Sequence, residues 1–107
     1  MPDARISVPP SVARGKPFEV RIIIRHAMET GYRTDESGKS IPRNVIKTFT
    51  CRYNGDVVFS ARLSSGIAAN PYIQFYTVAE ASGELEFTWI DDEGKQGSER
   101  QHIEVAA

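Results

Sequence analysis

Apolar and polar residues alternate along most of the chain, in short segments separated by turn residues. In the segment 18–25 every second residue is apolar: Phe18, Val20, Ile22 and Ile24. This period of two predicts a β-strand with one buried face. The same reasoning predicts strands at 5–8, 45–53, 57–63, 72–79, 85–89 and 96–105. The pattern therefore predicts about seven strands.

Turn signals between these segments indicate how the strands connect. Asn54 and Gly55 separate two alternating runs, and an Asn-Gly pair favours the type I′ turn of a β-hairpin. Turn signals recur every 8 to 12 residues or so, a spacing typical of an immunoglobulin-like sandwich. The segment 65–70 is long enough for one helical turn, which Pro71 would end. The expected fold class is all-β, an immunoglobulin-like antiparallel β-sandwich, and residues 1–107 are expected to form a single domain.

One connection is longer than a hairpin requires. It runs from His26 to Arg43 and contains 18 residues, including Met28 and Tyr32. Loops longer than about 12–15 residues are usually functional or disordered. Its charged, aromatic and methionine side chains suit a contact surface.

Composition and charge exclude several classes of function. The chain has 13 Lys and Arg against 14 Asp and Glu, a net charge of −1, so it lacks the basic excess that nucleic acids or anionic membranes attract. No apolar run approaches the roughly 20 residues that span a bilayer. No catalytic, phosphate-binding or dinucleotide-binding motif occurs, so neither enzymatic activity nor a cofactor is expected.

The residues with reactive or ligating side chains have plainer structural interpretations. Cys51 shares a strand face with Phe49 and Tyr53, which predicts a buried thiol. His26 and His102 have no ligand spacing around them, so no metal site is expected. The segment 91–94 lacks calcium-loop spacing and is expected to be a solvated turn, and Trp89 is expected to lie in the core.

Six segments, in this order and at this spacing, resemble the SoxZ family of bacterial thiosulfate oxidation. They are 25–33, 41–43, 49–55, 67–72, 75–76 and 87–92, and the resemblance extends over residues 5–105. Ala27 departs from the family pattern, in which proline is expected after the histidine. The resemblance implies an immunoglobulin-like fold and no catalytic role. It also implies a complex with SoxY, whose C-terminal cysteine arm carries the covalent sulfur intermediate.

The resemblance further implies a location and a set of contacts. Residues 1–5 show no basic region followed by an apolar stretch, so export to the periplasm is expected to depend on the signal of the SoxY subunit. Transient contacts with other Sox enzymes are implied, and the isolated subunit is expected to be able to form a homodimer through a bare partner surface. Protein interfaces favour aromatic, Met and Arg anchors. The following interface candidates are therefore expected to contribute to the subunit interface or to line the path of the SoxY cysteine arm: His26, Met28, Tyr32, Arg43, Asn70, Pro71, Tyr72 and Tyr76.

Two other functions remain open from the residues. One is a stand-alone ligand-binding sandwich, such as a carbohydrate module, which usually displays a row of exposed aromatic side chains. The other is an accessory immunoglobulin-like dimerisation domain of a sulfite-oxidising type of redox enzyme. Neighbouring genes would distinguish them.

Overall fold

The computed structural model describes residues 4–64, 67 and 69–106. Within them the chain forms nine strands: β1 (Ala4–Ser7), β2 (Val12–Ala13), β3 (Phe18–Ile24), β4 (Ile46–Tyr53), β5 (Asp56–Arg62), β6 (Tyr72–Thr77), β7 (Gly83–Asp91), β8 (Gln96–Ile103) and β9 (Val105–Ala106). The seven strands of four residues or more are the seven that alternation predicts. Residues 65, 66 and 68 of the helical turn expected at 65–70 lie outside the described part.

The strands form two main antiparallel sheets, which confirms the all-β sandwich. One sheet has the order β1-β3-β6 and the other the order β5-β4-β7-β8. The short strands β2 and β9 pair in parallel, which the antiparallel expectation did not include. Two-residue strands carry too few positions for alternation to reveal them. Since β2 follows β1 and β9 follows β8, this pair connects the two sheets along one side.

The inward-facing apolar side chains of the alternating strands fill the space between the sheets. The inward residues of β3 and β4 are almost fully buried, and Cys51 and Trp89 lie in the same core, as predicted. Phe59 of β5 stacks on Phe75 of β6, with ring centroids 4.4 Å apart, and Phe49 lies edge-on to Phe59. The Phe59–Phe75 stack joins the two sheets on the side away from β2 and β9.

The predicted hairpin is present between β4 and β5. Asn54 and Gly55 both have positive φ, 48° and 92°, as a type I′ turn requires. The Asn54 side chain also lies over Gly83, and its Oδ1 accepts a hydrogen bond from the Glu84 backbone N at 3.0 Å. A Cβ on Gly83 would come within 2.0 Å of the Asn54 Oδ1 atom, so this contact requires glycine.

The molecule is elongated, with extents of 60 × 23 × 20 Å. No helix that is long and apolar enough to cross a bilayer occurs among the described residues.

Candidate functional site

Two regions predicted from the sequence as interface candidates meet at one end of the sandwich. The His26 backbone N donates to the Asn70 Oδ1 at 3.0 Å, and the Asn70 backbone N donates to the His26 carbonyl at 2.7 Å. These reciprocal bonds join the start of the long connection to the residues that precede β6. The turn between β7 and β8 lies at the same end, because His26 also contacts Asp91.

The long connection folds back on itself. Glu29 and Asn44 exchange two backbone hydrogen bonds of 2.9 Å, and a second antiparallel bridge joins Thr34 to Ser40. Asp35 Oδ1 accepts hydrogen bonds from the Ser37 hydroxyl and from the backbone N of Ser37 and Lys39, which lowers the pKa of Asp35. We call residues 29–44 the arm, and its turn is held by these local bonds.

Asp91 anchors the base of the arm. Its Oδ1 accepts from the backbone N of Glu93 and Lys95, while its Oδ2 accepts from His26 at 3.2 Å and from Asn44 at 3.4 Å. Burial alone would raise the pKa of Asp91, but these hydrogen bonds outweigh it and lower the pKa. The expectation of a solvated turn is therefore wrong at this residue, which is only 3% exposed.

Both ring nitrogens of His26 are engaged. The Met28 backbone N donates to Nδ1 at 2.9 Å, so Nε2 carries the proton that is donated to Asp91. His26 is part of the framework at this end of the sandwich, and its imidazole is not free to act as a base or a ligand.

Met28 and Pro71, two interface candidates, are buried within the chain. Met28 is 4% exposed, and its Sδ accepts a hydrogen bond from the Ile46 backbone N at 3.3 Å. Pro71 is buried beside the Asn70 turn. Met28 is held by the chain's own fold because the long connection packs back onto the sandwich, and the Pro71 carbonyl accepts a hydrogen bond from the Ile24 backbone N at 3.0 Å. Alternation in the sequence does not reveal either contact.

The other candidates remain accessible. Tyr32 in the arm is 89% exposed, and Tyr72 and Tyr76 are also exposed. Arg43 and Asn70 are exposed, and Arg43 Nε lies 3.4 Å from Asp92 Oδ2. That these residues form an interface stays a prediction.

The exposed tyrosines of β6 belong to a defined surface. In the register of β3 and β6, Ile23 lies opposite Tyr72, Arg21 opposite Gln74, and Glu19 opposite Tyr76. Opposite residues of an antiparallel pair share one face, so these six point outward together. We call them the tyrosine face. Its sequence signal is the run 22–24, where Ile23 breaks the apolar-polar alternation.

A hydrogen-bond network links the polar residues of the tyrosine face. Glu19 accepts from Arg21, from Gln74 and, at 3.1 Å, from the Tyr76 hydroxyl. Desolvation would raise the pKa of Glu19, but these donors together lower it. The bond to Glu19 raises the pKa of Tyr76. The polar side chains in the centre of this face are therefore already paired with one another.

Among the described residues, the cysteine thiol is buried and the exposed histidine is paired. Cys51 is fully buried, and burial raises the pKa of its thiol to about 12, so almost no thiolate forms near neutral pH. His102 is exposed and pairs with Glu104 at 2.9 Å. Across the part of the chain that the structure covers, no three His, Cys, Asp or Glu side chains are placed to hold a metal ion.

A cavity of about 280 Å³ opens beside the Asp91 cluster. Its wall includes the Trp89 indole, which lies across Gly97, together with side chains of both charges such as Arg25 and Glu93. The side-chain Oδ1 of Asn44 is buried there without a hydrogen-bond partner. The charges are mixed, so the cavity favours no single class of ligand.

Comparison with known proteins identifies the family. The family model described as sulphur oxidation protein SoxZ matches residues 6–102, nearly the whole chain. A search of the curated proteins found no match.

Solved structures with a similar fold include a superoxide reductase and a sulfur carrier protein. A superoxide reductase (neelaredoxin) from Ignicoccus hospitalis superposes with a TM-score of 0.74 at 19% identity, covering 96% of this chain and 80% of that one. The sulfur carrier protein SoxY from Chlorobium limicola f thiosulfatophilum gives 0.68 at 10% identity, covering 98% and 80%. At these identities the likeness shows the fold alone.

The family match is therefore what assigns the protein. It extends over both sheets, the arm and the Asp91 turn, and it agrees with the ordered segments recognised in the sequence. The family match supports a role in the carrier complex of sulfur oxidation. This chain belongs to the SoxZ family of sulphur oxidation proteins.

Proposed function

We propose that this chain is the non-catalytic subunit of a SoxYZ carrier complex and forms a heterodimer with a SoxY-type subunit. In this complex the C-terminal cysteine segment of the SoxY subunit carries the covalent sulfur intermediate to the Sox enzymes. The observation that carries the proposal is the SoxZ family match over residues 6–102.

The chemistry of the chain supports a binding role. A carrier thiol must reach several active sites and form a thiolate, whereas Cys51 is buried in β4 and its pKa is raised to about 12. The covalent step therefore falls to the partner. Exposed aromatic side chains at Tyr32, Tyr72 and Tyr76 are of the type that anchors protein interfaces.

The same proposal includes the compartment. A SoxZ subunit would act in the periplasm and be exported in complex with its SoxY subunit, on the partner's signal. Cell fractionation with and without the SoxY gene tests this step, and export that persists without SoxY would contradict it.

Co-purification tests the pairing. The chain is expressed with the SoxY-type subunit of the same genome, captured through a tag on this chain, and weighed by native mass spectrometry. We expect a 1:1 complex in which the partner bears a C-terminal Gly-rich segment with one cysteine. A matched control is the complex with that partner cysteine replaced by serine, which should assemble equally well.

Sulfur loading separates the two subunits. After incubation with thiosulfate and the Sox enzymes, peptide mass spectrometry should place the adduct on the partner's cysteine and leave Cys51 unmodified. A chain recovered alone despite abundant partner would overturn the pairing. An adduct on Cys51 would overturn the non-catalytic role.

A further inference from the structure

The tyrosine face differs from an ordinary solvent-facing sheet surface. Three of its six residues are large and apolar or aromatic: Ile23 is 42%, Tyr72 52% and Tyr76 64% exposed. Ile23 and Tyr72 are directly opposite one another. In an antiparallel sheet with one solvated face, the residues on that face are normally polar. Clustered exposed apolar residues rimmed by polar ones mark interaction sites.

The polar side chains of the tyrosine face already hydrogen-bond to one another, which lowers the cost of burying them. Glu19 accepts from three donors on the same face, and its charge is matched by Arg21. Burying a polar group is costly chiefly when it loses hydrogen bonds to water without replacement. Here the replacement partners already exist, so a partner can cover these residues while they keep their hydrogen bonds.

These features specify the chemistry of the occupant. The charges of Glu19 and Arg21 cancel, so the centre of the face suits a partner surface of low net charge. The face is the outer surface of a three-stranded sheet, which another sheet can cover at about 10 Å. Beside it a shallow cavity of about 270 Å³, lined by Ser7, Val8, Pro9, Glu19 and Arg21, can receive a side chain of the partner.

The extent of the face indicates what else must contribute. Two strands about 4.8 Å apart and five residues of about 3.3 Å each give roughly 160 Å². A stable interface buries about 800 Å² on each partner. The face ends at Tyr72, two residues after the exposed Asn70, which is bonded to His26 at the base of the arm. Contact over the arm is thus the available extension.

We infer that the tyrosine face is the docking surface for the SoxY-type subunit, with Tyr72 and Tyr76 as anchors and the arm as the flanking contact. This inference rests on the proposed function. The partner's own fold suits the role, since the solved SoxY structure is a sandwich that superposes on 98% of this chain. Two sandwiches of one fold can thus meet sheet against sheet.

The test compares variants of the complex. Tyr72→Ala, Tyr76→Ala and the double variant are co-expressed with the SoxY-type subunit, and dissociation is followed by native mass spectrometry on dilution. The double variant should bind at least about tenfold more weakly, as expected for anchors. Arg100→Ala, on the outer face of the other sheet, is the matched control and should bind like the original chain.

A second readout does not depend on the variants folding. Hydroxyl-radical footprinting of the unaltered complex should show Tyr72 and Tyr76 protected relative to the free chain, and His102 on the other sheet unchanged. If the unaltered chain pairs but neither tyrosine is protected and the double variant binds normally, the docking surface is wrong and the proposed function stands. If the unaltered chain does not pair with the SoxY-type subunit, both fail.

Discussion

The two outer faces of the sandwich have been built differently. On the four-stranded sheet, Thr50, Thr88 and Ser98 form one outward row, and the next row continues with Glu86 and Arg100. These side chains are small or charged, and Arg100 Nη2 lies 2.9 Å from Glu86 Oε2. On the three-stranded sheet the corresponding positions form the tyrosine face.

The difference shows which features the fold requires. Both sheets bury their inward residues in one core, so the inward pattern is the same on both. The outward positions are free of that constraint. On the four-stranded sheet most of them are polar, with Val57 exposed on the edge strand β5, whereas the three-stranded sheet carries Ile23, Tyr72 and Tyr76 together. Outward-facing apolar side chains that the fold does not require therefore indicate a function for that face.

The largest expected effect is the difference in stability between substitutions on the inward and outward sides of strand β6. Phe75 and Tyr76 are neighbours in β6, but Phe75 is 7% exposed and stacks on Phe59, while Tyr76 points outward. Phe75→Ala should lower the free energy of unfolding by about 3–5 kcal/mol, through lost burial and a cavity. Tyr76→Ala should change it by less than about 1 kcal/mol. Urea denaturation of the free chain measures both.

Equal destabilisation by the two substitutions would break the comparison, because Tyr76 would then serve the fold. Phe75→Leu is a milder control that keeps most of the apolar volume, and it should lie between the other two variants.

Much of this inside-outside division is readable from the sequence. Alternation places Phe49, Cys51 and Trp89 inward, and all three are buried. The turn at Asn54 is readable because a local dipeptide determines it. Such features depend on neighbours in the chain, so they need no knowledge of the tertiary structure.

The loop end of the sandwich could not be read in this way. Asp91 is bonded to His26 and Asn44, which are distant in sequence, and Met28 is buried because the arm folds back over the sandwich. No period or dipeptide encodes such contacts. Tyr72 was identified as an interface candidate by residue type, but its pairing with Ile23 appeared only with the register of β3 and β6.

A smaller effect compares two carboxylates whose pKa values are both lowered. Asp91→Asn would set an amide N–H against the donors of His26 and Asn44, and should cost about 1–3 kcal/mol at pH 7. A folded-state pKa below the unfolded value of about 4 means that ionised Asp91 stabilises the fold above that pH. This stabilisation is lost as the pH falls through the folded-state pKa.

The stability gap between the original chain and Asp91→Asn should therefore narrow below about pH 4. The control is Glu19→Gln: Glu19 is on the exposed tyrosine face, and its substitution should leave the unfolding of the free chain almost unchanged. Thermal melts from pH 3 to pH 7 measure both variants. A gap independent of pH would contradict the role of the ionised Asp91 carboxylate.

The smallest effect is expected on the polar outer face. Glu86 and Arg100 form an exposed cross-strand ion pair, and such pairs contribute about 0.2–1 kcal/mol because water and salt screen them. A double-mutant cycle with Glu86→Ala and Arg100→Ala should give a coupling energy in this range that declines as salt rises to about 1 M. The same variants should leave binding of the SoxY-type subunit unchanged. Weakened binding would mean that the solvated face also contacts the partner, and the difference between the two outer faces would no longer identify the docking side.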